Sequence, residues 1–326
     1  MLNYDEVVKN SKAFKMVELD LSGSRLSHAY LFVSKDNAYL KFFVETICEI
    51  FINENDKENA EKNSMRIKKH VHPDVKFFGE EKAVDAAAAN QIVDLSGFSP
   101  FEADKKIFVM ANADSMNESS QNKILKTIEE PPKNTYFILS GNGTAKLLPT
   151  ILSRVKMIDL DEISTEQIAK MLIQNGIDES RAQICASCSN GNAEFAEKLA
   201  TDGSFVDFFN NIVSCFYEIN GSRDVLKFSN IFGAKTIDKD EFFDISALIV
   251  RDIAVILAGK IDMVVCKNVQ TKLKMIASSL NLEAVTTLAK ECVEAKKKLN
   301  FNVNATSVID GFLFKLAEVK VKCRRS

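Results

Sequence analysis

Tryptophan is absent from this sequence, and proline and glycine are scarce, at 5 and 12 in 326 residues. Neither a low-complexity linker nor an internal repeat is present, so the chain reads as folded throughout. No apolar run reaches the roughly 18 residues of a membrane span, and Asp5 and Glu6 interrupt the basic start that a secretory signal needs. A charge excess of one sign is missing as well. The net charge of −3 argues against autonomous binding to nucleic acid, because the basic clusters Arg66–Lys69 and Lys320–Arg325 are small. The seven cysteines are scattered and odd in number, which suits reduced thiols in a cytoplasm. Cys185 and Cys188 form a C-x-x-C inside a helical pattern, and His70 and His72 have no third or fourth ligand nearby, so no metal is expected. What remains, 46% hydrophobic and 27% charged, describes an ordinary globular chain long enough for two or three domains.

The most informative stretch runs from Lys105 to Arg154. Lys106–Met110 is an apolar run of strand length. Asn117 or Ser119 can cap a helix that carries Ile124, Leu125 and Ile128 on one face, and Pro131 and Pro132 end it. Tyr136–Leu139 is a second buried strand, and Leu147–Arg154 leads into a further element. Strand, helix, strand predicts a parallel α/β sheet. Upstream, residues 1–25 read as one leading helix, followed by a strand at Ala29–Val33 and a helix at Tyr39–Ile52. A polar excursion at Asn53–Lys69, a strand at Val75–Phe78 and a helix at Ala86–Leu95 complete the alternation. After Asp159 only helices are predicted, beginning with a capping box at Ser164 and Gln167. The Phe205, Phe208, Phe209 and Phe216 rings recur at helical spacing and read as core.

Several motifs within residues 20–160 resemble the clamp-loader branch of the AAA+ ATPases. Asn122, Leu125, Lys126, Thr127, Glu129, Glu130 and Pro131 match its N-x-L-L-K-T-L-E-E-P helix. Thr150, Ile151, Leu152, Ser153 and Arg154 match the start of T-I-L-S-R-C, with Val155 in place of the cysteine. Leu26–Phe32 matches L-x-H-A-Y-L-F, and His72, Pro73 and Asp74 match a further landmark. Arg251 with Asp252, and Asn302 with Asn304, match the branch's third domain more weakly. The resemblance implies a RecA-like parallel sheet with flanking helices over residues 1–160. A small helical lid would follow over 161–204 and an all-helical collar, the oligomerisation domain, over 205–326.

A nucleotide site needs a glycine cradle followed by lysine. The family pattern would place it at residues 34–41, where this chain has Ser34, Lys35, Asp36, Asn37, Ala38, Tyr39, Leu40 and Lys41. All three glycines are missing, Leu40 holds the lysine position, and Tyr39 brings a bulky ring to the loop. The carboxylates expected beyond the Ile107–Met110 strand fall on Ala111 and Asn112, neither of which can bind magnesium as an acid does or act as a base. Glu194 stands where the family's lid has an arginine that senses the γ-phosphate. No intrinsic hydrolysis and no bound cofactor are expected.

Ser153 and Arg154 are intact. In the family this arginine completes a neighbour's ATP site in trans, and a permanently charged guanidinium suits charge developing on a transferred phosphoryl group. A purely local alternative pairs Arg154 with Asp159 or Asp161. The resemblance implies a non-catalytic subunit of the DNA polymerase III clamp loader, with gamma/tau and delta subunits as partners. The sliding clamp and primer–template DNA would be reached through the complex, in the cytoplasm and away from any membrane. The competing expectation is an active gamma/tau-like ATPase with a divergent loop, using Lys41 and Asp114.

Overall fold

The computed structural model describes residues 2–23, 25–233, 239–300 and 304–325, so Asn302 and Val303 lie outside the described residues. The chain forms two compact units. The first comprises Met1–Ile163 together with Asn192–Phe195, and the second comprises Ser164–Gly191 together with Ala196–Ser326.

The first unit opens with two helices, α1 (Asp5–Asn10) and α2 (Lys12–Ser22), where the sequence predicted one. Ser11 breaks them: its backbone is extended and its hydroxyl accepts from the Phe14 amide at 3.1 Å, a cap that outcompetes continuation. Then follow β1 (Ala29–Val33), α3 (Asn37–Ile52), α4 (Ala60–Lys68), β2 (Val75–Phe78) and α5 (Ala86–Ser96). The unit continues with β3 (Lys106–Met110), α6 (Glu118–Glu129), β4 (Thr135–Gly141), α7 (Pro149–Leu152) and β5 (Lys156–Asp159). The five strands are all parallel in the order β2-β3-β4-β1-β5, as the α/β alternation predicts. β3 is buried along its whole length, and its Phe108 stacks on Phe137 of β4 at 5.7 Å. Helices cover the sheet through fully buried side chains such as Phe43 and Ile47 of α3, Ile92 of α5, and Ile124 and Ile128 of α6. Each such side chain contributes about 1.5–3 kcal/mol on removal from water.

The His72-Pro73-Asp74 landmark is a loop organiser. Asp74 is buried, and its carboxylate accepts from the amides of Phe101, Glu102 and Ala103 at 2.5, 2.8 and 2.9 Å. His72 is buried too, with Nδ1 accepting from the Asp74 amide at 3.2 Å, and burial holds its pKa below the usual imidazole range.

The second unit is helical among the described residues: α8 (Thr165–Gln174), α9 (Glu179–Cys188), most of α10 (Ala193–Thr201), α11 (Phe205–Glu218), α12 (Ser222–Phe232), α13 (Lys239–Leu257), α14 (Gln270–Ala277), α15 (Leu282–Asn300) and α16 (Ala305–Arg325). Ser164 and Gln167 form the reciprocal capping box at the start of α8 that their spacing predicts. Phe205, Phe209 and Phe216 are buried, while Phe208 is half-buried against Phe232. Asp252, fully buried, accepts from the Val265 amide at 3.1 Å and the Cys266 amide at 2.7 Å and so tethers that segment, while Arg251 donates to the same carboxylate at 3.0 Å. Burial pushes the Cys185 thiol up to about 11 and the Cys188 thiol higher still, which keeps both protonated and inert at neutral pH. Among the described residues no helix is long and apolar enough to cross a membrane.

Lys320 of α16 is buried, and its ammonium donates to the carbonyls of Phe216 at 2.8 Å and Tyr217 at 3.1 Å, closing the end of α11. Burial, with Arg324 as a further contributor, holds its pKa down at about 8 against an ordinary 10.5. The folded chain therefore releases this proton before the unfolded chain does, and stability rises with pH between those two values. The stability of the wild type relative to Lys320→Met should climb by about 2–3 kcal/mol from about pH 7.5 to 10 in urea melts. A difference that stays flat with pH would mean that burial does not perturb this lysine.

Candidate functional site

The loop after β1 meets the start of α3, the place where a parallel α/β sheet presents backbone amides to an anion. Asp36, only 3% exposed, caps α3 two residues earlier than periodicity predicted. Its Oδ1 accepts from the Tyr39 amide at 2.9 Å, while the Ser34 hydroxyl accepts from the Asp36 amide at 3.1 Å. Oδ2 of the same carboxylate accepts from the amides of Ala193 at 2.6 Å and Glu194 at 3.2 Å. The Glu194 carboxylate in turn accepts from the Ala38 amide at 3.3 Å, and the Asn192 side chain donates to the Lys35 carbonyl at 3.1 Å. Two carboxylates thus stand where the amides of α3 would meet phosphate. Asp36 is the functional residue that periodicity does not reveal. Its sequence signal is an Asp three residues before Tyr39, which a helix start at Tyr39 masks.

Tyr39 does not obstruct the loop. Its ring turns inward, 2% exposed, stacked on Tyr4 at 5.8 Å and edge-on to Phe43 at 6.4 Å. An aromatic core beneath the loop captures it, and burial raises its phenol pKa.

Beside this loop, at the carboxyl ends of the strands, lies a cavity of about 320 Å³ lined by Asn37, Leu40, Lys41, Glu80, Ala111 and Asn112, among others. Lys41 Nζ lies 2.9 Å from Glu80 Oε1, and Glu80 Oε2 lies 2.7 Å from His70 Nδ1. On its other side His70 meets Glu45 at 3.1 Å, and its ring stacks on Phe77 at 3.8 Å. Burial raises the Glu45 pKa, with the His70 hydrogen bond opposing the shift. Asn112 adopts a left-handed backbone at φ 50°, and its amide donates to the Gly79 carbonyl at 2.8 Å. Gly79, at φ +86°, is held so close that a Cβ would meet the Ala111 carbonyl oxygen at 2.2 Å. The two positions that the family fills with acids therefore serve to tie β2 to β3. Asp114 packs instead beside Gly141, where an added Cβ would lie 2.5 Å from its Oδ1.

Arg154 follows α7 in the first unit. Asn117 caps α6 by accepting from the Ser120 amide at 2.9 Å, and Pro131 and Pro132 follow its end. Gln121, buried on α6, ties that helix to the next segment: its Nε2 donates to the carbonyls of Met116 and Lys146 at 3.0 Å each. Its Oε1 accepts from the Leu148 amide at 2.8 Å. Leu148 begins α7, with Pro149 in the first turn, and Ser153 ends it. Arg154 Nη1 donates to the Thr150 carbonyl at 3.0 Å and the Ser153 hydroxyl at 3.1 Å, and Nη2 donates to Glu129 Oε1 at 3.0 Å. Its carboxylate partner is thus Glu129 rather than Asp159 or Asp161, with Gln121 of α6 holding the start of α7. This partner, 25 residues away, was not read from the sequence.

Residues 9–164 match a family model described as DNA polymerase III, delta subunit. The DNA polymerase III subunit delta′ of Bacillus subtilis is 26% identical over 317 residues, covering 94% of this chain and 96% of that one. The delta′ subunit of Haemophilus influenzae is 33% identical over 103 residues, 31% of either chain. The tau subunit of Bacillus subtilis is 28% identical over 128 residues, 36% of this chain and 23% of its own. Among solved structures, a gamma subunit-related protein of DNA polymerase III from Thermotoga maritima aligns over 97% of both chains, at 14% identity and a TM-score of 0.36.

Proposed function

We propose that this chain is a delta′-type subunit of the DNA polymerase III clamp loader, as the matches to the delta-subunit model and to the delta′ relatives support, and that within the loader it lends Arg154 to a neighbouring ATP site while hydrolysing no nucleotide itself. The observation that carries this reading is the occupation of the α3 amides by the chain's own carboxylates, Asp36 and Glu194. A helix N-terminus attracts anions through unpaired amides and its dipole. Here the Tyr39 and Ala38 amides are already satisfied, and two carboxylates beside them would repel a polyphosphate. The lost acids, Ala111 and Asn112, remove the groups that would hold magnesium and position water. The gamma/tau-like alternative has less support: Lys41 is paired with Glu80, and Asp114 packs beside Gly141 instead of pointing to a shared cleft with Lys41.

In this reading residues 161–204 act as the lid and 205–326 as the collar through which the chain joins gamma/tau and delta subunits. The sliding clamp and primer–template DNA are then substrates of the whole loader, in the cytoplasm. Ser153 supports Arg154 by accepting its Nη1–H while its own hydroxyl donates to the Thr150 carbonyl at 3.1 Å.

Titrating the isolated chain with Mg-ATP by calorimetry tests the lost cis site. No binding heat is expected up to about 1 mM nucleotide, a concentration that corresponds to roughly −4 kcal/mol of binding. A Kd near 10 µM or tighter would overturn the non-catalytic reading.

A further inference from the structure

The carboxylate on Arg154 lies in an unfavourable place. Glu129 is the last residue of α6, and carboxylates at a helix C-terminus oppose the helix dipole. The Thr150 carbonyl that also receives Arg154 belongs to α7, a single turn of helix. An acid at a helix end, a carbonyl of α7 and the Ser153 hydroxyl therefore converge on a single guanidinium.

That guanidinium has five N–H donors. Thr150, Ser153 and Glu129 take three of them, and the Nε–H is buried with no acceptor among the described residues. At most one donor is left facing outward, too few for the two parallel bonds by which arginine grips a phosphate. A buried donor without a partner is itself unfavourable and gains by any move that supplies an acceptor. The ion pair that holds this arrangement is exposed, with side chains 32% and 54% accessible, so it restrains weakly.

From these contacts we infer that Glu129 is a positioning residue that restrains Arg154. It keeps the guanidinium turned onto its own chain until a neighbour's phosphoryl oxygens compete for it. The inference rests on the trans role proposed above. No bond is made or broken; the acceptor on Nη2 changes from carboxylate to phosphate, and the idle Nε–H gains one.

Glu129→Gln tests it, because the amide keeps the shape of the side chain and loses the charge. In assembled loaders whose other ATP sites are disabled, hydrolysis at the adjacent site is measured without clamp and DNA, then with both saturating. The variant should raise the unstimulated rate about two- to fivefold, the range an exposed ion pair supports, and leave the stimulated rate and the KM for ATP unchanged. The double variant Glu129→Gln, Arg154→Ala should match Arg154→Ala alone, since the acid acts only through the arginine. An unstimulated rate that is unchanged or lower in Glu129→Gln, while Arg154→Ala slows the site, overturns the restraint and leaves the trans role standing. A rate unaffected by Arg154→Ala overturns both.

Discussion

Arg154→Ala should leave this chain folded and assembled, lower the steady-state ATP turnover of the loader, and impair clamp loading more than turnover. Its side chain is partly exposed, and its partners are a carbonyl, a hydroxyl and an exposed acid, so its loss opens no cavity in the core. An arginine that completes a phosphoryl-transfer site is worth about 10³–10⁵ in rate at that site. On the proposed function the loader's other ATP sites would keep their own arginines, so total turnover would fall far less than the single site does. On the same reading, loading steps that depend on this site would suffer more than total turnover, to which the other sites also contribute. Arg154→Lys should rescue poorly, since an ammonium cannot reproduce the planar fork. Steady-state turnover and clamp loading, measured side by side on the three proteins, check the pattern. Full activity in the lysine variant would mean that only a point charge is needed there.

Asp36→Ala should cost about 2–4 kcal/mol of stability, a large loss for a residue that touches no substrate. Its carboxylate accepts from the amides of Tyr39, Ala193 and Glu194 and is almost fully buried. A lost cap costs about 0.5–2 kcal/mol, and here more than one donor is stranded in a buried place. Asp36→Asn keeps an oxygen for some of these donors and should lose roughly half as much. Urea unfolding of the three proteins checks the order. An alanine variant as stable as the wild type would mean that water satisfies those amides, and the loop would then be open to phosphate after all.

The parallel sheet was legible in sequence because its strands are short apolar runs bounded by polar turns. Val75–Phe78 and Ala29–Val33 form with those bounds. Most helices were equally plain from periodicity, although α4 forms inside the polar stretch Asn53–Lys69, and helix ends were hidden where a polar side chain competes with the pattern. Ser11 splits the predicted leading helix, and Asp36 starts α3 before its first apolar residue. The site was legible only as a set of absences at Ala111, Asn112 and the missing glycines. What fills the gap was hidden, because Asp36 meets the Ala193 amide across 157 residues of chain. Glu129 belongs to a recognisable motif, yet its contact with Arg154 depends on Gln121 fastening α7 to α6, which no local spacing announces.

The central claim is that this chain acts through Arg154 on ATP held by a neighbour. Single-turnover hydrolysis at the adjacent site addresses it most directly, in assembled loaders whose remaining ATP sites are disabled. Wild type and Arg154→Ala are compared with clamp and primed DNA present. The account predicts a fall of about 10³–10⁵ in the variant, with ATP binding at that site intact. Equal rates would contradict it and leave Arg154 as a residue that merely joins α6 to α7.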